Sequence, residues 1–195
     1  TAMLHKILKE KEPEYLGVCF DVSRDTFRQK RFKEYKIQRP VMPDGLSGQI
    51  PLIKKVIFAY GISAVEKEGF EADDIIATLT KKALDQGFAV EIISSDKDML
   101  QLIGDNVDVY SPYQDKGFTY NAQAVKERFG VGPKNIPDII ALMGDAVDNL
   151  PGVPGVGEKT AVELIQKFGS VENLLDNIDK VDKEKIKQSI IAHTD

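Results

Sequence analysis

The chain has 195 residues, 42% of them hydrophobic, and a formal net charge of −5. That length supports a real core in one or two domains. One cysteine, Cys19, excludes an intrachain disulfide framework, no apolar run reaches membrane-spanning length, and the start lacks a signal-peptide layout, so a cytoplasmic protein with no membrane partner is expected.

Residues 2–11 read as a helix with Met3, Leu4, Ile7 and Leu8 on one side, ended by Pro13. Tyr15 to Phe20 read as a strand apolar on both faces, hence central and covered, with Cys19 a buried small hydrophobe. Residues 24–48 are a long excursion, basic and then broken by Pro40, Pro43, Gly45 and Gly48. From Arg24 to Arg39 it carries Arg24, Arg28, Lys30, Arg31, Lys33, Lys36 and Arg39 against Asp25 and Glu34 only. Local charge of this kind steers a polyanion, although a solvated helix face has the same composition. A helix follows over 49–60, with Ile50, Ile53, Val56 and Ile57 inward.

Glu71 to Gln86 form the next predicted helix, closed by Gly87, and a strand follows over Ala89 to Ile93. A short helix over Met99 to Ile103 leads to a strand over Val107 to Tyr110. This alternation predicts an α/β core over residues 1–120, with a central, mostly parallel sheet flanked by helices. From residue 121 the pattern is all helix, over 121–129, 137–143, 158–168, 170–178 and 182–192, which makes 121–195 a helical subdomain.

Acids fall where these elements end. Asp21 follows the first strand, Glu71, Asp73 and Asp74 open a helix, Asp96 and Asp98 follow a strand, and Asp145 and Asp148 lie three apart. Acids so placed can converge on one cleft at the carboxyl ends of strands. They repel one another unless cations neutralise them, so the pattern asks for divalent metal. Counting those eight as metal-bound turns the net charge of −5 into +3 for the rest. Each cluster also has a plain structural reading. An acidic first turn stabilises a helix, an Asp after a strand forms a turn, and Asp145 and Asp148, which as a pair could share one face of a helical turn and point at the same ion, can singly be caps.

The segment Pro151-Gly-Val-Pro-Gly-Val-Gly-Glu-Lys159 lets backbone approach a ligand closely, and the helix after it offers unpaired N–H groups to a phosphate. An ordinary helix–helix turn is the alternative. The Gly-Lys-Ser/Thr order of a nucleotide-hydrolysing loop is missing. His5 and His193 have no partners in the motifs, and no Ser–His or Cys–His nucleophile is present, so water is the expected attacker. Asp21-Val-Ser-Arg lacks the second Asp that an aspartyl-intermediate phosphatase uses.

The stretches Val18-Cys-Phe-Asp21 with Phe27-Arg28, Glu34-Tyr-Lys36, Glu71-Ala-Asp-Asp74, Ser95-Asp-Lys-Asp98, Gly144 to Asn149 and Leu150 to Ala161 resemble, in this order, the 5′-nuclease (flap endonuclease) family. The match is closest to those members that form the 5′→3′ exonuclease domain of bacterial DNA polymerase I. The resemblance implies a PIN/resolvase-like fold followed by a helix–hairpin–helix at about 137–168. It implies structure-specific 5′→3′ exonuclease or flap endonuclease action on DNA with a 5′ single-strand/duplex junction, in replication and repair. Two Mg²⁺ (or Mn²⁺) ions would serve it, roughly 3.5–4 Å apart. Asp21, Glu71 and Asp73 would hold one ion, and Asp96, Asp98 and Asp148 the other, with Asp74 and Asp145 in support. Residues 24–48 would be a helical arch passing a single-stranded 5′ end, with Arg28, Lys36 and Arg39 on phosphates, and Asp21, Arg28 and Lys36 taking part in catalysis. Gly152, Val153, Gly155, Gly157, Lys159 and Thr160 would grip duplex backbone, with K⁺ at the hairpin, and a DNA polymerase domain would be covalently linked. Members of the family begin with a further strand bearing an early metal-binding Asp. Residue 1 here already falls in the helix after that strand, so a fragment is expected, and DNA binding without catalysis is the alternative activity.

Overall fold

The computed structural model describes residues 2–112 and 117–193. It falls into two compact units, one of residues up to Glu34 with Gln38–Thr78, the other of Tyr35–Ile37 with Leu79 onward.

The first unit begins with helix α1 (Ala2–Lys11), whose Ile7 is buried, and strand β1 (Gly17–Phe20). β1 pairs in parallel with β2 (Ser63–Glu66), Val18 opposite Ala64 and Cys19 opposite Val65. Among the described residues this sheet has two strands. Val18, Cys19 and Phe20 are half-buried, which corrects the expectation of a strand covered on both faces and of a buried Cys19. The excursion is mostly irregular, with short helices α2 (Phe27–Arg31) and α3 (Asp44–Ser47). Its two feet are tied by Arg24, whose guanidinium donates to the carbonyls of Arg39 and Pro40. Helix α4 (Ile50–Ala59) has Pro51 in its first turn, where a missing N–H costs nothing, and it buries Ile57. Ile53, expected inward, is exposed.

Helix α5 (Ala72–Leu84) runs from the first unit into the second. In the second unit β3 (Val90–Ile93) and β4 (Val107–Ser111) are parallel, Ile92 opposite Val109, and β5 (Phe118–Tyr120) pairs antiparallel with β4. β2 and β5 were not anticipated, since three or four residues of mixed polarity carry no clear period. A 3₁₀-helix, Lys97–Leu102, replaces the predicted Met99–Ile103 turn of helix.

Helices α6 (Ala122–Phe129), α7 (Ile136–Met143), α8 (Glu158–Phe168), α9 (Val171–Asp176) and α10 (Glu184–Ile191) complete the unit. Local chemistry sets their ends. The Asn121 and Ser170 side chains accept from the N–H groups of Ala124 and Asn173, and Gly130 takes a left-handed conformation after α6. α8 shows the helical period plainly, burying Ala161, Leu164, Ile165 and Phe168 on one face. With Val109, Val125, Leu174 and Ile190 these make the deepest core of the unit. Among the described residues no helix is long and apolar enough to cross a membrane.

Candidate metal centres and nucleic-acid interface

In the first unit the acids gather where β1 ends and α5 begins. The first turn of a helix leaves backbone N–H groups unpaired. Asp21 leaves β1 and its Oδ1 accepts from the N–H of Ala72 at 2.6 Å. Asp74 reaches back to accept from the N–H of Glu71 at 2.9 Å, one half of a capping box. The same carboxylate receives both Arg28 nitrogens at 2.7 Å, and Glu71 lies 3.6 Å from that guanidinium. Bidentate pairing fixes Arg28 in direction as well as in position. Asp73 adds a further negative charge. Burial first, and Asp73 second, push the Cys19 thiol above its ordinary range.

In the second unit four acids surround two lysines. Asp96 caps the 3₁₀-helix, its Oδ1 accepting from the N–H of Asp98 at 2.9 Å. Asp145 and Asp148 are both buried. They share no helical turn, which corrects that expectation. They lie instead in a loop closed by paired hydrogen bonds between Asp145 and Leu150, with Asp145 Oδ1 accepting from the Val147 N–H at 2.8 Å. Lys97 approaches Asp145 at 3.1 Å. Tyr35 donates its hydroxyl to Asp148 Oδ2 at 3.1 Å, and Lys36 lies 3.5 Å from the same oxygen. Lys36 holds a left-handed backbone (φ 54°), and its N–H donates to the Asp148 carbonyl at 2.9 Å. This conformation is costly for a non-glycine residue, so surrounding contacts must hold it.

The electrostatics separate these acids. Burial alone would push Asp145 up, but the Lys97 and Val147 hydrogen bonds hold its carboxyl below the ordinary value. Asp98 goes the other way. Burial, then Asp96 and Asp145, raise it to about 6, against the opposing pull of Lys97. Among the described residues its buried Oδ1 has no hydrogen-bond partner. Such an oxygen is uncommon and needs a reason.

A hard divalent cation fits that reason, since it prefers carboxylate oxygens and removes the repulsion. Asp96, Asp98 and Asp148 would hold it in the second unit, and Asp21, Glu71 and Asp73 in the first. Among the described residues no three acidic, histidine or cysteine groups already form a cage. Arg28, Lys36 and Lys97 heads pair with the acids instead.

The glycine segment joins α7 to α8. Gly152 packs on the end of α7, where an added Cβ would lie 2.2 Å from the Met143 carbonyl carbon. Its bareness therefore serves helix packing. The Val153 N–H donates to the Leu142 carbonyl at 2.8 Å. Gly155 has φ +84°, and α10 supports the turn through the Ser189 hydroxyl on the Pro154 carbonyl at 2.7 Å. Gly157 begins α8 with open space around it and no side-chain cap. The N-terminus of α8 thus keeps its donors available, with Lys159 exposed and Thr160 half-buried beside them.

Of the residues singled out in the sequence, Asp21, Glu71, Asp73, Asp74 and Arg28 fall in the first unit, and Arg39 is exposed there. Asp96, Asp98, Asp145, Asp148 and Lys36 fall in the second, as does the hairpin. Tyr35 and Lys97 were missed as site residues. Lys97 sits between two acids, a signal the sequence did carry, whereas nothing local marks Tyr35 as the donor to Asp148.

Two family models together match the whole chain. Residues 1–130 match the 5′-3′ exonuclease N-terminal resolvase-like domain, and residues 131–195 the 5′-3′ exonuclease C-terminal SAM fold. A 5′-3′ exonuclease of Aquifex aeolicus is 48% identical over 182 residues, covering 93% of this chain and 62% of that protein. DNA polymerase I of Bacillus caldotenax is 47% identical over 197 residues, covering 99% of this chain, which spans only 22% of the polymerase. Among solved structures, a flap endonuclease of bacteriophage T5 in a pseudo-enzyme-product complex with DNA and metal ions superposes with TM-score 0.81 at 26% identity, covering 98% of this chain and 74% of that one. Another T5 5′-exonuclease structure, with divalent zinc bound, gives TM-score 0.83. The resolvase-like α/β fold and the helical SAM fold that follows it in the chain agree with these matches: the chain belongs to the 5′-3′ exonuclease family of nucleases.

Proposed function

We propose that the chain is a metal-dependent 5′-nuclease acting on DNA, as a 5′→3′ exonuclease and as an endonuclease at the junction of a 5′ single strand with duplex. One observation carries this reading. Asp98 is a half-buried carboxyl raised to about 6 among acids, with a buried oxygen that lacks a partner among the described residues, in a chain of this family. A group so placed suits a divalent cation. The metal-bearing T5 relatives support the same reading.

Two ions, Mg²⁺ or Mn²⁺, are proposed. Asp21, Glu71 and Asp73 would hold one, and Asp96, Asp98 and Asp148 would hold the other. Such ions would lower the pKa of a water and stabilise the leaving 3′ oxygen. Asp74 keeps Arg28 in place through its bidentate pair, and Asp145 does the same for Lys97. Arg28 and Lys36 turn positive charge toward the transferring phosphate. Arg39 and the exposed bases of the excursion draw in the strand. The hairpin with Lys159 and Thr160 holds duplex backbone without reading sequence, and K⁺ is its proposed companion. The matched polymerases make a linked DNA polymerase, and work in replication and repair, the proposal for the whole protein.

The test is cleavage of a labelled 5′-flap DNA in Mg²⁺ by the wild type and by Asp98→Asn. Cleavage should collapse while flap binding in EDTA persists. Undiminished cleavage by the variant removes Asp98 from the chemistry, and binding by the wild type without cleavage in either Mg²⁺ or Mn²⁺ would leave a DNA-holding module.

A further inference from the structure

Beside the Asp96 turn the second unit contains a small cavity of about 50 Å³. Ser94, Ser95, Ser111, Lys97 and Arg128 line its polar side, with Asp96, and apolar side chains close the rest. Ser111 is buried, and its Oγ lies 3.2 Å from that of Ser95. This space exceeds what one water occupies, and hydroxyls with a cation are the lining a tetrahedral oxyanion calls for.

Arg128 is the cation free to serve it. Lys97 is already held by Asp145. Among the described residues Arg128 has no carboxylate within ion-pair distance. Its guanidinium lies over two rings instead, 5.4 Å from the Tyr120 centroid and 5.2 Å from that of Phe129. Stacking of this kind fixes the plane of the fork and leaves its N–H edge for a phosphate. Among the described residues Asp96 is the acid on the cavity wall, and its Oδ1 accepts from the Asp98 N–H.

A second, shallower hollow of about 350 Å³ shares Tyr120 and Arg128 and adds Phe118, Ala124 and Glu127. Phe118 is 45% exposed and meets Tyr120 edge-on, with centroids 4.7 Å apart. That leaves an aromatic face open for a base. The Glu127 side chain accepts from Gln123 at 2.7 Å, and its charge repels phosphate from this side. The polarity is therefore fixed: phosphate toward Arg128 and the serines, base toward Phe118.

We infer that this paired hollow on β4, β5 and α6 binds one nucleoside monophosphate unit, its phosphate in the serine–Arg128 cavity and its base against Phe118. It needs no divalent ion, although Asp96 and Lys97 on its wall also belong to the proposed metal centre. The unit has two sources, a nucleotide within a single strand or a released mononucleotide.

The test is titration of the full chain in EDTA with deoxythymidine 5′-monophosphate, followed by calorimetry and by amide shifts in NMR. Saturable binding is expected, with shifts at Ser94, Ser111, Phe118 and Arg128. Arg128→Ala should weaken it about tenfold, equivalent to roughly 1.4 kcal/mol. Phe118→Ala should weaken the nucleotide and leave inorganic phosphate unchanged. Thymidine alone should bind worse than either. A single-stranded tetranucleotide binding more tightly than the mononucleotide assigns the site to a strand, and the reverse order assigns it to the free nucleotide. Asp98→Asn should bind the nucleotide like the wild type, so loss of the nuclease reading and loss of this one are told apart. Absence of saturation, or affinity indifferent to both Arg128→Ala and Phe118→Ala, overturns the inference.

Discussion

Asp98→Asn should make the metal-free protein more stable, even as it destroys cleavage. The folded environment raises the carboxyl from its ordinary 3.8 to about 6, so the charged form is disfavoured on folding. The sign follows from linkage. Below pH 3.8 the group is protonated in both states and costs nothing. As pH rises from 3.8 to 6 the unfolded chain ionises it first, and native stability falls. Above 6 the whole penalty is present. For a fully sequestered group the rise corresponds to about 3 kcal/mol. Asp98 is only half-buried, so solvent screening reduces this to about 1–2 kcal/mol. For a chain of this size that is a rise of about 3–6 °C in Tm for Asp98→Asn at pH 8 in EDTA. The assay is thermal unfolding followed by circular dichroism at pH 4 and pH 8. The gain should be large at pH 8 and nearly absent at pH 4. In excess Mg²⁺ the order should invert, because only the wild type gains the ion. A variant no more stable than wild type at pH 8, or an equal difference at both pH values, would refute the account of Asp98.

Divalent affinity at the Asp98 cluster should fall about tenfold per pH unit below about 6 and flatten above it, read by titration calorimetry with Mn²⁺; the same affinity at pH 5 and pH 7 contradicts the ligand role. Arg28→Ala leaves Asp74 and Glu71 without their guanidinium and should cost about 1 kcal/mol in thermal unfolding, with Arg28→Lys restoring little because a lysine head cannot span both Asp74 oxygens. Gly152→Ala drives a methyl into the α7 backbone and should cost about 3 kcal/mol or more, whereas Gly157→Ala meets nothing within 4 Å and should change stability by under about 1 kcal/mol, checked by urea unfolding. Lys159→Ala should lower duplex affinity across all sequences and reduce the slope of log affinity against log salt by about 1, a change that filter binding at several salt concentrations detects.

Much of this protein is legible along the chain, because the signals concerned are local. Hydrophobic period marks α7 and α8, Gly130 and Ser170 mark where helices stop and start, and the acids at the ends of β1 and β3 and at the head of α5 stand out against apolar neighbours. The resemblance to 5′-nucleases rests on these short motifs in order, and order survives without coordinates. What only the tertiary structure decided is partnership between distant positions. Pairing between β1 and β2 joins residues more than forty positions apart, and mixed short segments such as Ser63–Glu66 show no strand until a neighbour supplies the hydrogen bonds. Tyr35 and Lys36 meet Asp148 across more than a hundred residues, and Arg28 meets Asp74 across forty-six. The raised pKa of Asp98, the packing duty of Gly152 and the stacking of Arg128 on Tyr120 and Phe129 beside the serines all depend on burial and on neighbours contributed by other elements. Sequence proximity encodes turns, caps and faces; dielectric, close packing and charge pairing arise only when separate elements are brought together.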